Sequence, residues 1–260
     1  MNLIENDIWA DLKRAAIDVS SQEPLLADRL YDLVTRHAGY PEALAYLLAV
    51  NLRHDTQDAD ALHELFTDVI TRHADIATAS LYDLKATLER DPACENVLVP
   101  FLYYKGFKAL QTHRVAHALR NDGRHHVARF LQSRVSDVYA VDINPGAVMG
   151  KGIFIDHATG IVIGETAVVE DDVSMLHEVN LGGTGKVTGD RHPKIRRGVM
   201  IGAGAKILGN IEVGEGSKIA AGSVVLKPVP AHTTVAGVPA KPVGTPSSDV
   251  PAFDMRQELE

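Results

Sequence analysis

Along the first 140 residues the apolar positions recur with the period of an α-helix. Leu44, Leu47, Leu48 and Leu52 fall at i, i+3, i+4 and i+8, on one face of a helix that Pro41 opens after the Gly39-Tyr40 break. Leu62, Leu65, Phe66 and Val69 repeat the pattern, as do Leu81, Leu84 and Leu88 before Asp91-Pro92 stops the run. This spacing predicts six to eight helices. From Ile143 onward the period changes to six. An aliphatic residue returns at Ile143, Met149, Ile155, Ile163, Val169, Met175, Leu181, Ile195, Ile201, Ile207, Val213, Ile219 and Val225. The fifth place of each hexad is mostly small or β-branched, as at Ala147, Thr159, Ala167, Val173, Val179, Ala205, Ser217 and Ser223.

A six-residue unit of this kind makes a short flat strand and a tight turn. Three units close a triangular coil, and coils stack by parallel strand pairing at about 4.8 Å, which turns the aliphatic lead residues inward. Two breaks interrupt the count: two extra residues at Ile161-Val162, and eight from Val187 to Lys194. The second reads as a loop thrown off the prism, where binding groups tend to sit.

Composition sharpens the division. Of 21 glycines only Gly39, Gly106 and Gly123 precede residue 141, and of 14 aromatic residues only Phe154 and Phe253 follow it. A narrow prism has no room for rings. A net charge of −8 argues against a nucleic-acid backbone or an anionic membrane as partner. The single Cys94 supports no disulfide and no metal or redox pair, and reads as a small buried hydrophobe in a reducing compartment. Met1 leads into Asn, Glu and Asp rather than a basic stretch and an apolar run, so the chain is expected to be cytoplasmic.

Candidate chemistry gathers at two places in the repeat. His157 follows its lead residue Ile155 by two places, outside the core register. In an eighteen-residue coil Gly160 would stack on Asp142, bringing His157 and Asp142 together as an imidazole–carboxylate pair. Arg191 and His192 stand on the eight-residue loop. Other constellations fail. A phosphate loop over Gly182-Gly183-Thr184-Gly185-Lys186 would need Gly where Asn180 stands and Ser or Thr where Val187 stands. His113 and His117 are four apart, but with no HExxH glutamate and no third ligand they read as helix surface, and His125-His126 reads as a loop feature.

The strings Asp156-His157-Ala158-Thr159-Gly160, Leu181-Gly182-Gly183-Thr184-Gly185-Lys186, Gly189-Asp190-Arg191-His192-Pro193-Lys194 and Ala236-Gly237-Val238-Pro239-Ala240, with Asp91-Pro92 and Tyr104-Lys105-Gly106-Phe107 upstream, resemble those of bacterial serine O-acetyltransferases. The resemblance implies an α+β chain. Residues 1–140 would form a helical domain for oligomerisation and part of the serine site, 141–240 a left-handed parallel β-helix, and 241–260 a C-terminal tail. It also implies transfer of acetyl from acetyl-CoA to the hydroxyl of L-serine, giving O-acetylserine and CoA on the route to cysteine, without a metal. His157 would be the general base and Asp142 its orienting carboxylate, the logic of a triad whose nucleophile is the substrate. Gly182 and Gly183, or His192, would supply oxyanion donors.

By the same resemblance, Asp91, Asp156 and His157 of one subunit hold serine with Arg191 and His192 of a neighbour. Acetyl-CoA lies between prisms, on Gly183, Ala203 and Ala221, with Lys218 and Lys241 toward its phosphate end. A homotrimer or dimer of trimers follows, with cysteine as a feedback inhibitor at the serine site. Family members dock a tail ending in Ile into O-acetylserine sulfhydrylase; an acidic terminal Glu260 predicts weak or no binding there. The alternatives are a hexapeptide-repeat acetyltransferase for another acceptor, such as a sugar, and a purely structural β-helix.

Overall fold

The computed structural model describes residues 3–54, 59–185 and 188–258. Its first half is helical: α1 (Leu3–Gln22), α2 (Ala27–Leu30), α3 (Tyr40–Leu52), α4 (Ala59–Arg72), α5 (Ala74–Arg90), α6 (Leu98–Tyr103), α7 (Lys105–Asn121) and α8 (His125–Tyr139), with a 3-10 turn at Pro24–Leu26 and a π turn at Tyr31–Thr35. Gly39 caps α3 in an extended conformation with Pro41 in the first turn, and α5 ends at Arg90, just before Asp91-Pro92. The core holds large rings: Tyr40, Phe66 and Phe101 are fully buried, and Trp9 meets Tyr40 edge-on at 6.4 Å. His125 and His126 open α8 instead of lying in a loop.

α7 departs most from its sequence reading. Lys108, Gln111, Thr112, His113 and Arg114 are all buried, because this helix runs between the helical core and the prism. His113, expected on a helix surface, is 4% exposed, and burial pushes its imidazole down to about 3. Polar groups tie this seam. Asp83 of α5 accepts from Arg114 (2.7 Å), Gln111 (2.9 Å) and the backbone N–H of Ile153 (2.9 Å), while Arg114 also donates to the carbonyls of Met149 (3.1 Å) and Gly150 (2.6 Å). A buried carboxylate is tolerated only with such donors around it.

α8 ends at Tyr139 and the first strand begins at Val141. Three parallel sheets form the prism. The first face stacks Val141–Ile143, Ile161–Ile163, Asn180–Gly182, Lys206–Leu208 and Val224–Val225; the second stacks Val148–Met149, Val168–Val169, Lys194–Ile195 and Glu212–Val213. The third runs from Phe154–Ile155 through Ser174–Met175, Met200–Ile201 and Lys218–Ile219 to Thr234–Gly237. Lead residues pair directly between coils: Ile143, Ile163, Leu181, Ile207 and Val225 on one face, Met149, Val169, Ile195 and Val213 on the next, and Ile155, Met175, Ile201, Ile219 and Val235 on the third. All are buried except Met149, which is partly covered.

The register corrects one expectation. Asp142 pairs with Val162, not Gly160, because the two residues added at Ile161-Val162 lengthen the first coil. The expected boundary at residue 240 falls inside an antiparallel hairpin formed by Thr234–Gly237 and Ala240–Gly244. The following segment does not hang free. It folds back on the third face through α9 (Pro251–Asp254), where Ser174 Oγ donates to the Ala252 carbonyl (2.8 Å) and the Arg90 guanidinium lies 4.5 Å from the centre of the Phe253 ring. Leu259 and Glu260 lie outside the described residues, and with them the sulfhydrylase expectation.

Candidate active site

Turns between faces form three edges, and most of the candidate residues on the prism, including His157, Arg191 and His192, fall on two of them. Where the third face turns into the first, residues 156–160 make a tight loop in which His157 and Ala158 both take left-handed backbone conformations, φ 55° and 59°. Such angles are unfavourable for side-chain-bearing residues and persist where surroundings enforce them. The Gly160 N–H donates to the Ala140 carbonyl (2.8 Å), and the Lys105 ammonium donates to the Thr159 hydroxyl. Gly106, in the first turn of α7, abuts this edge so closely that a Cβ there would sit 2.3 Å from the Ile155 carbonyl oxygen. The loop thereby projects His157, whose side chain is 73% exposed.

Beside it lies a groove of about 380 Å³ lined by Asp91, Tyr104, Lys105, Gly106, Asp156 and His157. Asp91 accepts from the Tyr104 hydroxyl (2.8 Å) and the Ala93 N–H (2.9 Å). Asp156 lies 3.7 Å from His157; burial raises its carboxyl above the usual range, the His157 imidazole opposes this, and the nearby Asp91 carboxylate adds to it. Two carboxylates on one groove suit an ammonium ion, whose charge relieves their mutual repulsion. Burial and Asp91 push the Tyr104 phenol up, and lift the Cys94 thiol to about 11, which leaves that cysteine an inert buried group.

Asp142 is placed differently from expectation. It accepts from Gln132 Nε2 at 2.6 Å, and no hydrogen bond joins it to His157 among the described residues. The ring beside His157 belongs instead to His177, one coil on, edge-to-face at 5.8 Å. Ala203 and Ala221 follow on the same edge, in the turns before Lys206–Leu208 and Val224–Val225.

Gly183, Arg191 and His192 occupy the next edge, where the first face turns into the second. Arg191 pairs with Glu165 (2.9 Å) and donates to the Gly189 carbonyl (2.9 Å). His192 is buried against Gly164 and Thr166. Lys186 and Val187 of this loop lie outside the described residues. Lys218 is buried on the third face with its ammonium donating to the Glu258 carbonyl, whereas Lys241 is exposed on the hairpin. Among the described residues no cluster of three or more His, Cys, Asp or Glu is arranged to hold a metal, and no helix is long and apolar enough to cross a membrane.

Sequence reasoning assigned no role to Tyr104, Glu165, Thr166 or His177. Tyr104 stood in a quoted string, but nothing local marks a tyrosine as the partner of a carboxylate thirteen residues away. Glu165 and Thr166 read as an ordinary repeat turn.

A family model described as the serine acetyltransferase N-terminal region matches residues 8–112, and the six-repeat bacterial transferase hexapeptide model matches residues 192–227. The serine acetyltransferase of Salmonella typhimurium is 52% identical over 252 residues, covering 97% of this chain and 92% of its own. This chain belongs to the serine acetyltransferase family. Among solved structures, the serine acetyltransferase of Vibrio cholerae superposes with a TM-score of 0.97 at 52% identity, covering 98% of this chain and 99% of that one. A serine acetyltransferase in complex with cysteine superposes with a TM-score of 0.96 at 47% identity, covering 98% and 100%. Membership makes the chain an acetyl-CoA-dependent acyltransferase acting on serine.

Proposed function

We propose that serine acetylation proceeds by direct attack, with His157 as the general base. The observation that carries this reading is the exposed imidazole standing at the lip of a groove that also presents Asp91 and Asp156. Serine's ammonium group fits between those carboxylates, setting its hydroxyl toward His157. The imidazole takes the hydroxyl proton as the oxygen attacks the thioester carbon, and returns it to the departing CoA thiolate. Asp156, at 3.7 Å, is the carboxylate that favours the imidazolium formed in between, and Asp142, expected to orient the ring, is engaged by Gln132. A neutral sugar would leave the two carboxylates uncompensated, which favours an amino acid as acceptor.

The site is incomplete in one chain, because Arg191 and His192 lie on a different edge from His157. Both edges flank the first face. Three copies arranged with that face toward a threefold axis would bring the His157 edge of each against the Arg191 edge of the next. Arg191 then supplies a planar fork for the serine carboxylate. Acetyl-CoA would follow the His157 edge past Ala203 and Ala221, opposite Gly183 of the neighbour, with the Lys218 and Lys241 amines toward its phosphates. Cysteine, which shares serine's carboxylate, ammonium and carbon skeleton, would occupy the same pose as an inhibitor. Related serine acetyltransferases have been solved with CoA, with cysteine and with serine, which supports this set of ligands.

The test follows CoA release from acetyl-CoA with a panel of amino acids and sugars. Serine is expected to be the preferred acceptor, and His157→Ala to lower turnover by about 10² to 10⁴ in a folded protein. Retention of more than about a tenth of turnover would remove His157 as general base. A monomer with full activity in light scattering would sink the shared site.

A further inference from the structure

The turn Gly164-Glu165-Thr166 opens the second coil's first edge, and its sequence is that of any hexapeptide turn. All three residues face the loop that carries Arg191 and His192. Gly164 leaves the space that the His192 ring fills: a Cβ there would sit 2.0 Å from Cδ2 and 2.1 Å from Nε2 of that ring. Glu165 holds the Arg191 guanidinium. Thr166 meets the loop at five points, one of them its carbonyl, which accepts from the Lys194 ammonium at 2.7 Å. Its hydroxyl oxygen accepts the backbone N–H groups of Arg191 (3.0 Å) and His192 (3.1 Å) and lies 2.9 Å from His192 Nδ1, while its own backbone N–H donates to that same Nδ1 at 3.2 Å.

This pattern permits one state of the imidazole. A backbone N–H cannot rotate away or reverse its polarity, so Nδ1 must be an acceptor. The hydroxyl oxygen has both lone pairs engaged by the two loop N–H groups, so its hydrogen is available to Nδ1 as a second donor. The Asp190 carboxylate, which also binds Lys194 (2.6 Å) and Asn210 (3.2 Å), is a second acceptor for that hydroxyl hydrogen, so the fixed Thr166 backbone N–H is what sets Nδ1 as an acceptor. A proton on Nδ1 would face the Thr166 N–H head-on. The ring proton is therefore on Nε2, for which no hydrogen-bond partner occurs among the described residues.

We infer that Thr166 is a positioning residue that locks His192 as a neutral Nε2–H tautomer, making it a fixed hydrogen-bond donor to an anionic oxygen of the substrate or of the tetrahedral intermediate, and not a base. The inference rests on the reading that the Arg191–His192 edge faces substrate. The surrounding charges act in the same sense. Burial holds the His192 imidazole below its usual range, Arg191 and Lys194 push it further down, and the opposing carboxylates Glu165 and Asp190 do not overcome them. A donor that stays neutral and pre-aimed needs no reorganisation when negative charge develops.

The decisive measurement is the nitrogen-15 spectrum of histidine-labelled active enzyme near neutral pH, with His192 assigned by its loss in His192→Leu. A pyridine-like Nδ1 and a pyrrole-like Nε2 are expected; a protonated Nδ1 would overturn the lock. Kinetics separate Thr166 from a generic packing role. Thr166→Val removes the hydroxyl at nearly constant volume, and should lower kcat/KM for serine roughly tenfold to a hundredfold and move the acidic limb of its pH profile upward, because the neutral ring loses a donor. Thr166→Ser should stay within about twofold of the parent and keep its profile. Serine kinetics within about twofold of the parent in Thr166→Val would overturn the role of its hydroxyl. If Thr166→Val does not fold, the parent spectrum and the serine variant still decide the matter. Unchanged serine kinetics in His192→Leu would instead remove this edge from the substrate site, leaving the tautomer established as a structural fact.

Discussion

The helical half and the prism solve the same packing problem by opposite means. The prism is a ladder: each lead residue rests on its equivalent one coil away, its interior is aliphatic, and its turns are interchangeable until a loop or a histidine interrupts them. The helical half packs unlike residues from distant positions, including aromatic rings and, along α7, charged and polar side chains sealed against the prism. Repetition tolerates local change because each coil contacts only its neighbours. The seam does not, since each buried charge there depends on a particular set of partners. The chemistry lies where the two modes meet, with Asp91 and Tyr104 brought by helices to a groove whose other wall is a prism turn.

The seam should therefore yield the largest stability loss. Asp83→Ala leaves the Arg114 guanidinium buried without its carboxylate, and urea denaturation should show a loss of about 3–5 kcal/mol. A loss below about 1 kcal/mol would mean that water reaches the seam and that the two halves are less different than described. Within the prism, Ile201→Ala empties one rung of a closed ladder and should lower stability by about 3 kcal/mol. Met149→Ala, at the partly open first coil, should lose less than half of that; equal losses would contradict the ladder view.

A smaller effect should come from pH. His113 titrates at about 3 in the folded chain and near its ordinary value when unfolded. Above the unfolded pKa neither state binds the proton. As pH falls below it only the unfolded chain does, so stability drops, by about 2 kcal/mol between about pH 7 and pH 5. His113→Gln should flatten that slope. The smallest expected change concerns the groove: because the Asp156 carboxyl is raised, it loses charge at a higher pH than an ordinary aspartate, so serine KM should climb as the pH is lowered, and should do so before an ordinary aspartate would protonate. Asp156→Asn should raise KM overall and remove this rise. A KM that stays constant with pH in the parent enzyme would show that Asp156 does not carry the ammonium.

Much of the fold was legible because its rules are local. Thirteen aliphatic positions at a period of six predicted the prism and its inward ladders, and the change of period near residue 141 separated the halves. Helix starts and stops at Pro41 and Asp91-Pro92 obeyed backbone geometry that neighbouring residues impose. The motif strings were enough to indicate the family. The partners of Asp142 were harder to read, since a two-residue insertion displaces every stacked neighbour and periodicity alone does not show which strand absorbs it.

What the sequence determined by itself was the set of elements, their interior faces and the residues able to do chemistry, because periodicity and turn chemistry depend on near neighbours. Only the tertiary structure decided which of those residues meet. It buried His113 and Arg114 on a helix that reads as polar, set Tyr104 on Asp91, and put His157 and His192 on different edges. It also turned an unremarked threonine into the clamp on an imidazole. A hydrogen bond depends on distances of about 3 Å and on the direction of each donor, and neither is encoded by spacing along the chain.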